Sequence, residues 1–277
     1  MTALPDTIEI VTDAVLERMA TASQSPFYLG LCGSQGSGKS TLTAQLRTNL
    51  EASGQRVAAL SLDDLYFSRT QRQRLAAEIH PLFATRGPPG THDVALGEAV
   101  FDGLAREGVT HIPRFDKRLD MPLPQARWDS IASPVDVVIF EGWCVGARAQ
   151  TDDQLATPIN ALERTQDPDG LWRRAVNDTL KGAYAHLFAR LNMLVYLAAP
   201  SFDVVAGWRM EQEATLRRAL QANGESTDGL MSDDDIARFV RFYERLTRFM
   251  LEEMPRRADV TIRIDERRRP LSVVHTR

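Results

Sequence analysis

Apolar residues along the chain recur in two patterns, one typical of buried strands and one typical of helices. Short β-rich apolar runs predict strands at Phe27–Cys32, Val57–Leu62, Val135–Phe140, Met193–Ala198 and Asp259–Ile264. Apolar residues spaced three or four positions apart predict helices at Ile8–Ala20, Lys39–Leu50, Ser68–Ile79, Val94–Arg106, Leu171–Leu191, Phe202–Gln221 and Asp233–Met254. Strands that alternate with helices in this way build a parallel sheet. The pattern therefore predicts one α/β domain over residues 1–277.

Two stretches between the second and third main strands lack this periodicity. Pro81–Asp93 carries three prolines and two glycines in thirteen residues, which is typical of an ordered loop or a mobile flap. His111–Phe115 predicts a short edge strand, and Asp116–Pro134 is charged and interrupted by prolines. We expect these residues to form loops inserted into the domain.

The first predicted strand leads into a glycine-rich turn with a phosphate-binding signature. The motif GxxxxGK[ST] is matched in full, and the residues expected to bind the nucleotide are Gly33, Ser34, Gln35, Gly36, Ser37, Gly38, Lys39, Ser40 and Thr41. Glycines let the backbone curl so that its N–H groups converge on phosphate oxygens at a helix N-terminus. Lys39 would reach the β- and γ-phosphates, and the Ser40 hydroxyl would coordinate Mg²⁺. The motif predicts ATP and Mg²⁺ as cofactors; the alternative is a glycine-rich turn without a nucleotide.

Carboxylates stand at the ends of the next two predicted strands. Asp63 follows the second strand and Glu141 follows the third. The carboxyl ends of parallel strands share one edge of the sheet, so both side chains should lie beside the phosphate-binding turn. Glu141 is suited to hold Mg²⁺ or its water shell, and Asp63 to accept the proton of an attacking hydroxyl. Asp64 is a weaker candidate for the base because alternation points it elsewhere, and either acid could instead cap a helix or turn.

Composition narrows the class of protein. The chain has 33 basic and 37 acidic residues, a net charge of −4 and 43% hydrophobic residues, which excludes a mainly disordered or fibrous chain. No apolar run reaches the roughly 18 residues of a membrane helix, and Met1–Glu17 lacks the features of a signal peptide. We therefore expect a cytoplasmic protein without a membrane partner. Cys32 and Cys144 are too few for a disulfide framework, and the histidines lack metal-ligand spacing.

The basic residues are almost all arginine. Lysine occurs only at Lys39, Lys117 and Lys181, which leaves 33 − 3 = 30 arginines. A coding bias explains such an excess, but a lysine that persists against it can mark a need for a compact ammonium group. The C-terminal arginines at 256, 257, 263 and 267–269 alternate with acids and lack interleaved aromatics. A solvated tail therefore fits them better than nucleic-acid binding.

Five segments together resemble the D-glycerate 3-kinase family, which is related to uridine kinase, phosphoribulokinase and bacterial-type pantothenate kinase. They are the phosphate-binding turn, SLDDLY around Asp63, RGPPGTHD (Arg86–Asp93), PRFDK (Pro113–Lys117) and FEGW (Phe140–Trp143). The resemblance spans about Phe27 to Met254. It implies an α/β fold of the P-loop NTPase type, a three-layer sandwich with a mainly parallel central sheet and a helical lid. It also implies transfer of the γ-phosphate of ATP to D-glycerate, which gives 3-phosphoglycerate.

The resemblance gives roles to two inserted regions. Residues of about 68–134 would bind the acceptor, and residues of about 202–254 would form the lid. In related kinases lid arginines approach the phosphates, so Arg209 becomes the candidate that neutralises charge in the transition state. The alternative is that Arg209 lies on a solvated helix face and pairs with Glu213.

An anionic acceptor also agrees with the residues themselves. Arg86, His92, Arg114 and Lys117 concentrate positive or protonatable groups in two loops of an acidic protein. Asp93 could hold a substrate hydroxyl or cap the helix that begins at residue 94. The alternative for the three cations is a solvated surface charge. One departure from the family pattern is the run Asp120-Met121-Pro122, which lacks the arginine expected before the proline.

Two other functions remain open at this point. The first is a sibling kinase that acts on another hydroxylated, anionic metabolite. The second is a nucleotide-binding regulator with negligible turnover, against which Asp63 and Glu141 argue. No Asn-Lys pair occurs in the chain, so the guanine-reading NKxD motif of P-loop GTPases is absent. We expect a small anionic substrate and no nucleic-acid partner.

Overall fold

A computed structural model describes residues 7–227 and 230–276 and has a six-stranded sheet at its centre. The strands are β1 (Phe27–Gly33), β2 (Val57–Ser61), β3 (Gly108–Ile112), β4 (Phe115–Asp116), β5 (Met121–Pro122), β6 (Asp129–Ser133), β7 (Val137–Gly142), β8 (Met193–Ala198), β9 (Val260–Ile264) and β10 (Pro270–His275). The central sheet has the order β10-β9-β8-β1-β7-β2. All its neighbours pair in parallel except β10, which is antiparallel to β9.

Helices cover both faces of this sheet. They are α1 (Thr7–Thr21), α2 (Lys39–Ala52), α3 (Arg69–Glu78), α4 (Val94–Leu104), α5 (Asp152–Ala156), α6 (Ala161–Gln166), α7 (Leu171–Thr179), α8 (Ala185–Phe188), α9 (Phe202–Ala222) and α10 (Asp233–Glu253). Among the described residues, no helix combines the length and the apolarity needed to cross a membrane.

Two apolar layers lie on opposite sides of the sheet. Successive side chains of a strand point to opposite faces, so Tyr28 and Cys32 join one cluster while Leu29 and Leu31 join the other. Helices α4 and α8 pack on the first face, and α1 and α2 on the second. The predicted α/β sandwich with a mainly parallel sheet is confirmed. Because β1 is central and runs directly into α2, the phosphate-binding turn lies at the middle of the sheet's carboxyl edge.

Three elements differ from the sequence-based expectation. The edge strand expected at His111–Phe115 is instead β3, which pairs with β6 inside the segment expected to be a loop. The hairpin buries only alternate residues, so its apolar signal is weak. The helix expected over Leu171–Leu191 is interrupted by a π-helical segment, Leu180–Tyr184, in which Gly182 leaves helical geometry. The C-terminal residues expected to be a solvated tail include β10, an edge strand in which half of the residues are exposed and the rest are half-buried.

Candidate active site

The glycine-rich turn, residues 33–41, connects β1 to α2 and is called the P-loop here. Gly36 and Gly38 have φ angles of +76° and +93°, a left-handed conformation that favours glycine. Gly38 caps α2 without a side-chain hydrogen bond. The first N–H groups of the helix are therefore left for an anion, which the helix dipole also attracts.

Several buried polar atoms of the P-loop have no partner. Within the described residues, Ser34 Oγ, Gln35 Oε1 and Ser37 Oγ are buried and make no hydrogen bond. Lys39 folds back, and its Nζ donates a hydrogen bond of 3.1 Å to the Ser34 carbonyl oxygen. Native proteins rarely leave buried polar groups unpaired. Their concentration at one loop fits a ligand rich in polar oxygens, as a triphosphate is.

Two oxygen donors lie beside this loop in positions that suit Mg²⁺. Ser40 is exposed in the first turn of α2, and Glu141 lies near the end of β7, in register with Leu31 of β1. Both side chains line the same cavities. Glu141 forms no hydrogen bond or ion pair within the part of the chain that the structure describes. A hydroxyl and a free carboxylate fit Mg²⁺, which takes one or two protein oxygens and completes its shell with water and phosphate.

A cavity of about 340 Å³ opens in front of the P-loop. It joins four parts of the chain: the P-loop, the carboxyl ends of β2 and β7, the acceptor segment (residues 86–120), and helices α9 and α10. Among the residues that the sequence singled out, those that line it are Gln35, Gly36, Lys39, Ser40, Asp63, Arg86, Lys117, Glu141 and Arg209. The residues expected to bind the nucleotide and those expected to bind the acceptor thus face one common volume.

Asp63 lies in a short 3₁₀ turn that follows β2. Lys117 Nζ donates to its Oδ2 at 2.5 Å, and the Tyr66 hydroxyl donates to its Oδ1 at 2.9 Å. Burial alone would raise the pKa of Asp63, but the charge and hydrogen bond of Lys117, together with Lys39 and Tyr66, lower it to about 2. Asp63 is therefore ionised and faces the cavity at neutral pH.

Asp64 has a different environment. It accepts hydrogen bonds from Arg114 Nη1 at 2.8 Å and from the Phe115 backbone N–H at 3.0 Å. Burial raises the pKa of Asp64 despite these partners. Asp64 thus anchors the PRFDK segment to the end of β2 and does not line the main cavity, whereas Asp63 does.

Arg86 faces the cavity but is already paired with a carboxylate. Its Nη1 donates to Asp120 Oδ1 at 2.5 Å, and its Nη2 donates to the Lys117 carbonyl oxygen at 3.2 Å. Asp120 also pairs with Arg72, whose side chain is buried. Asp120 begins the run that departs from the family pattern, and it supplies the charge that holds Arg86 in place.

Three predicted acceptor residues, Arg114, Asp93 and His92, do not line the main cavity, and the first two hold loops in place. Arg114 is held between Asp64 and Asp129, at 2.8 and 2.5 Å. Asp93 caps α4 by accepting a hydrogen bond of 2.9 Å from the backbone of the helix, the second of its two expected roles. These two side chains position the loops rather than face the acceptor.

His92 is buried behind the site. Its Nδ1 lies 2.6 Å from the Tyr184 hydroxyl, and its ring stacks on Tyr66 with centroids 4.4 Å apart. Burial lowers the pKa of His92 to about 3. His92 is therefore neutral at physiological pH and packs against Tyr66, the tyrosine that donates to Asp63, instead of lining the main cavity.

Arg209 of α9 reaches the cavity from the lid side. Its Nη2 lies 2.6 Å from Glu213 Oε2. This is the ion pair expected under the alternative role of Arg209, in which it does not contact phosphate. Glu213 is itself buried and accepts a hydrogen bond from the Met231 backbone. Arg118 also lines the cavity, and its Nη1 lies 3.2 Å from Glu225 beyond the end of α9. This ion pair links the acceptor segment to the lid.

Sequence reasoning missed several aromatic residues of the cavity, namely Tyr66, Trp143, Phe239 and Tyr243. Tyr66 belongs to the SLDDLY segment and Trp143 to the FEGW segment, so the motifs could have pointed to both. Tyr243 instead follows the apolar face of α10 and resembles a core residue in sequence. A Cβ atom at Gly87 would lie 1.9 Å from the Tyr243 hydroxyl, so only a glycine permits this close approach of the loop to α10.

Comparisons with known proteins agree with this geometry. A family model described as the methylmalonyl-CoA mutase-associated GTPase MeaB matches residues 5–67, which include the P-loop and Asp63 but less than a quarter of the chain. The uncharacterised kinase mug58 of Schizosaccharomyces pombe is 32% identical over 292 residues, covering 97% of this chain and 99% of that protein.

Two further relatives are described as D-glycerate 3-kinases. The chloroplastic D-glycerate 3-kinase of Arabidopsis thaliana is 25% identical over 264 residues and covers 89% of this chain, which spans only 54% of that protein. The solved structure of a D-glycerate 3-kinase from Cryptococcus neoformans superposes with a TM-score of 0.77 at 22% identity, over 98% of this chain and 100% of that one. The second similarity establishes the shared fold.

Proposed function

The chain belongs to the D-glycerate 3-kinase family of P-loop kinases, and on that premise we propose that it transfers the γ-phosphate of ATP to a hydroxyl of D-glycerate, giving 3-phosphoglycerate. The observation that carries the proposal is the contact of Lys117 with Asp63, at 2.5 Å, in the cavity that also contains the P-loop. A carboxylate that can accept a proton and an ammonium group that can bind a carboxylate lie side by side. An acceptor that carries both a hydroxyl and a carboxylate matches this pair.

The nucleotide is bound by the P-loop in this proposal. Backbone N–H groups of residues 33–41 and the unpaired hydroxyls of Ser34 and Ser37 surround its phosphates. Lys39 moves from the Ser34 carbonyl oxygen to the β- and γ-phosphates. Ser40 and Glu141 would hold Mg²⁺, which supplies charge neutralisation for the transferred phosphoryl group.

The acceptor is bound by Lys117 and Arg86. Each of these cations is already paired with a carboxylate, Asp63 or Asp120, so the acceptor carboxylate takes over contacts that the protein makes with itself. When Lys117 turns to the acceptor, Asp63 loses the charge that most lowers its pKa and becomes a better proton acceptor. The base thus gains strength as the substrate arrives.

The chemical step follows from this arrangement. The acceptor oxygen forms a bond to the γ-phosphorus while the bond from that phosphorus to the β,γ-bridging oxygen breaks. The hydroxyl proton passes to Asp63. Arg209 leaves Glu213 to contact the transferred group, and closure of α9 and α10 over the cavity excludes water that would otherwise hydrolyse ATP.

An acceptor screen tests the assignment. Purified protein is incubated with Mg·ATP and, separately, D-glycerate, L-glycerate, pantothenate, uridine or ribulose 5-phosphate, while ADP release is followed and the product is identified by ³¹P NMR. We expect release only with D-glycerate and a phosphate on the 3-hydroxyl. Phosphorylation of another acceptor with D-glycerate left unreacted would refute the proposal.

A sibling kinase for another anionic metabolite is the second candidate, and one observation favours it. The departure at Asp120 leaves Arg86 paired with a carboxylate at 2.5 Å, which alters the acceptor end of the cavity relative to the family pattern. The same screen separates the two candidates. A nucleotide-binding regulator would release ADP at a rate that no acceptor stimulates.

A further inference from the structure

The turn between β9 and β10, residues 265–269, reaches the P-loop. Arg268 Nε donates a hydrogen bond of 2.5 Å to the Gly36 carbonyl oxygen. The same guanidinium pairs with Glu211 of α9 at 2.6 Å and lies 5.1 Å from the ring centre of Trp208. One side chain from the C-terminal hairpin thus touches both the P-loop and the lid helix.

The turn holds Arg268 in this position. The Asp265 carboxylate accepts hydrogen bonds from the backbone N–H groups of Arg267 and Arg269, each at 2.8 Å. Arg268 itself has a φ angle of +64°, a left-handed conformation that residues with a Cβ seldom adopt. Trp208 Nε1 donates to the Glu266 carbonyl oxygen at 2.7 Å. Strained backbone that persists in a well-bonded turn is a frequent feature of functional sites.

Arg268 restrains one peptide group of the P-loop. The carbonyl of Gly36 is bound by Arg268, and the N–H of the same peptide group, on Ser37, donates to the Ser34 carbonyl oxygen at 3.2 Å. Because a peptide group is planar, fixing both ends fixes its orientation. Glycine at φ +76° would otherwise allow this group to rotate, which would redirect an N–H of the phosphate-binding loop.

Helix α9 also packs directly against this glycine. A Cβ atom on Gly36 would lie 2.6 Å from Trp208 Cβ. Trp208 and Glu211 are both residues of α9, and both contact Arg268. The position of the lid helix and the shape of the P-loop are therefore coupled through one guanidinium group.

We infer that Arg268 is a positioning residue of the nucleotide site, which fixes the orientation of the Gly36 peptide group, and with it the shape of the P-loop, and ties the P-loop to α9. The inference rests on the proposed function only in taking ATP as the nucleotide. It gives a role to a C-terminal turn that the sequence classed as a solvated tail.

The test compares Arg268→Ala with Arg267→Ala. Arg267 belongs to the same turn, is exposed, and its side chain makes no hydrogen bond or ion pair within residues 7–227 and 230–276. ATP affinity is measured by calorimetry without any acceptor, alongside the melting temperature and the KM for ATP. We expect Arg268→Ala to bind ATP about tenfold more weakly, the effect of losing one charge-assisted hydrogen bond, with a matching rise in KM. Arg267→Ala should bind ATP as the unmodified chain does.

Two further variants complete the design. Arg268→Lys keeps the charge but cannot contact Gly36 and Glu211 together, so partial recovery of affinity is expected. Glu211→Gln removes only the link to α9 and should cost less affinity than Arg268→Ala. If Arg268→Ala does not fold, Arg268→Lys is compared with Arg267→Lys in the same assay.

The inference would be overturned if Arg268→Ala bound ATP within twofold of the unmodified chain. It would also be overturned if Arg268→Ala and Arg267→Ala lost the same affinity, which would indicate a general charge effect. The acceptor plays no part in this measurement. Failure of the D-glycerate assay would therefore leave the result on Arg268 standing, and the two proposals fail separately.

Discussion

The P-loop and the acceptor segment line one cavity, but they differ in whether their polar groups already have partners within the protein. In the P-loop, the buried hydroxyls of Ser34 and Ser37 have no partner within the described residues, and Lys39 contacts only a carbonyl oxygen. In the acceptor segment, Lys117 is paired with Asp63 and Arg86 with Asp120. The P-loop half of the cavity thus has hydrogen-bonding groups without partners, whereas the cations of the acceptor half are paired with carboxylates of the protein.

The difference has energetic consequences. An unpaired buried polar group costs about 1–3 kcal/mol, which a phosphate recovers on binding. An acceptor instead replaces carboxylates that are already bound, so its affinity is the difference between two sets of ion pairs. Only an anion can make that exchange and keep both cations paired. Under the proposed function, the acceptor half would therefore gain selectivity for anions and, through Asp63, couple acceptor binding to activation of the base.

The largest expected effect comes from Asp63→Asn. The variant should lose at least about two orders of magnitude in kcat because no group remains to accept the hydroxyl proton. ATP affinity without acceptor should stay within about twofold, since the P-loop does not depend on Asp63. Turnover and calorimetry check both parts. The control is Asp203→Asn, which changes an exposed carboxylate on α9. If Asp63→Asn kept a tenth of the kcat, Asp63 would not be the base.

Glycines of the two halves should respond differently to alanine. Gly87 has a φ of +126° and would place its Cβ 1.9 Å from Tyr243, whereas Gly38, at +93°, has nothing within 4 Å. We expect Gly87→Ala to lower the free energy of unfolding by roughly 3 kcal/mol through crowding and backbone strain. Gly38→Ala should cost only about 1 kcal/mol but abolish tight ATP binding, because the open space belongs to the ligand.

Urea unfolding and ATP calorimetry test this pair of variants. Gly54→Ala is the matched control, since Gly54 has a φ of +86°, no atom within 4 Å and no place in the cavity. It should match Gly38→Ala in stability and the unmodified chain in ATP affinity. A Gly87 variant as stable as the Gly54 variant would contradict the packing against Tyr243.

The fold was predictable wherever burial leaves a periodic signal. The strands that form the middle of the sheet are buried almost throughout, and all were placed within a residue or two. The hairpin of β3 with β6 and the strand β10 were not predicted, because they are half-exposed and carry charges or prolines. Local sequence does not report pairing between two polar segments, which long-range contacts decide.

The site was predictable in its residue types more than in their contacts. Motif spacing placed Lys39, Asp63 and Glu141 at one edge, because strand ends in a parallel sheet share an edge. It did not separate Lys117, which faces the cavity, from Arg114, which anchors the segment to Asp64. Two basic residues three positions apart look alike in sequence, and only the tertiary fold decides which carboxylate each one meets.

Lys117→Met should sharpen the contrast between the halves. The KM for the acceptor should rise by about tenfold or more because a charged hydrogen bond is lost, while ATP affinity is unchanged. Loss of Lys117 also removes the main charge that lowers the pKa of Asp63 from its ordinary value to about 2. A higher pKa in the free enzyme means that acidification protonates the base sooner, so the acid limb of kcat/KM, which reports the free enzyme, should move to higher pH.

The controls for that variant use the scarce lysines. Lys181 is exposed and only loosely paired with Asp178, at 3.5 Å, so Lys181→Met and Lys181→Arg should be nearly silent. Lys117→Arg should still raise the acceptor KM, because a planar guanidinium does not reproduce the contact of a compact ammonium group with Asp63. An unchanged pH profile in Lys117→Met would show that Asp63 titrates independently of it.

The smallest effect concerns His92, which supports the acceptor half through Tyr66. Its pKa is about 3 in the folded protein and about 6.5 in an unfolded chain. Between these values the unfolded state binds a proton that the folded state does not. Above about pH 6.5, His92 therefore does not affect the free energy of unfolding. As the pH falls below that value, His92 lowers the free energy of unfolding by up to about 1.4 kcal/mol per pH unit.

Replacing His92 with Gln, which can still bond to Tyr184, should remove this contribution to the slope. Urea unfolding at pH 7.5, 6.5 and 5.5 measures it for the unmodified chain, for His92→Gln and for the exposed control His111→Gln. The control should keep the full slope, because it leaves His92 in place. The His92→Gln variant should lose less stability on acidification than either of the other two proteins. Equal slopes in all three would mean that His92 takes up its proton without unfolding of the chain. The burial of His92 behind Tyr66 argues against that outcome.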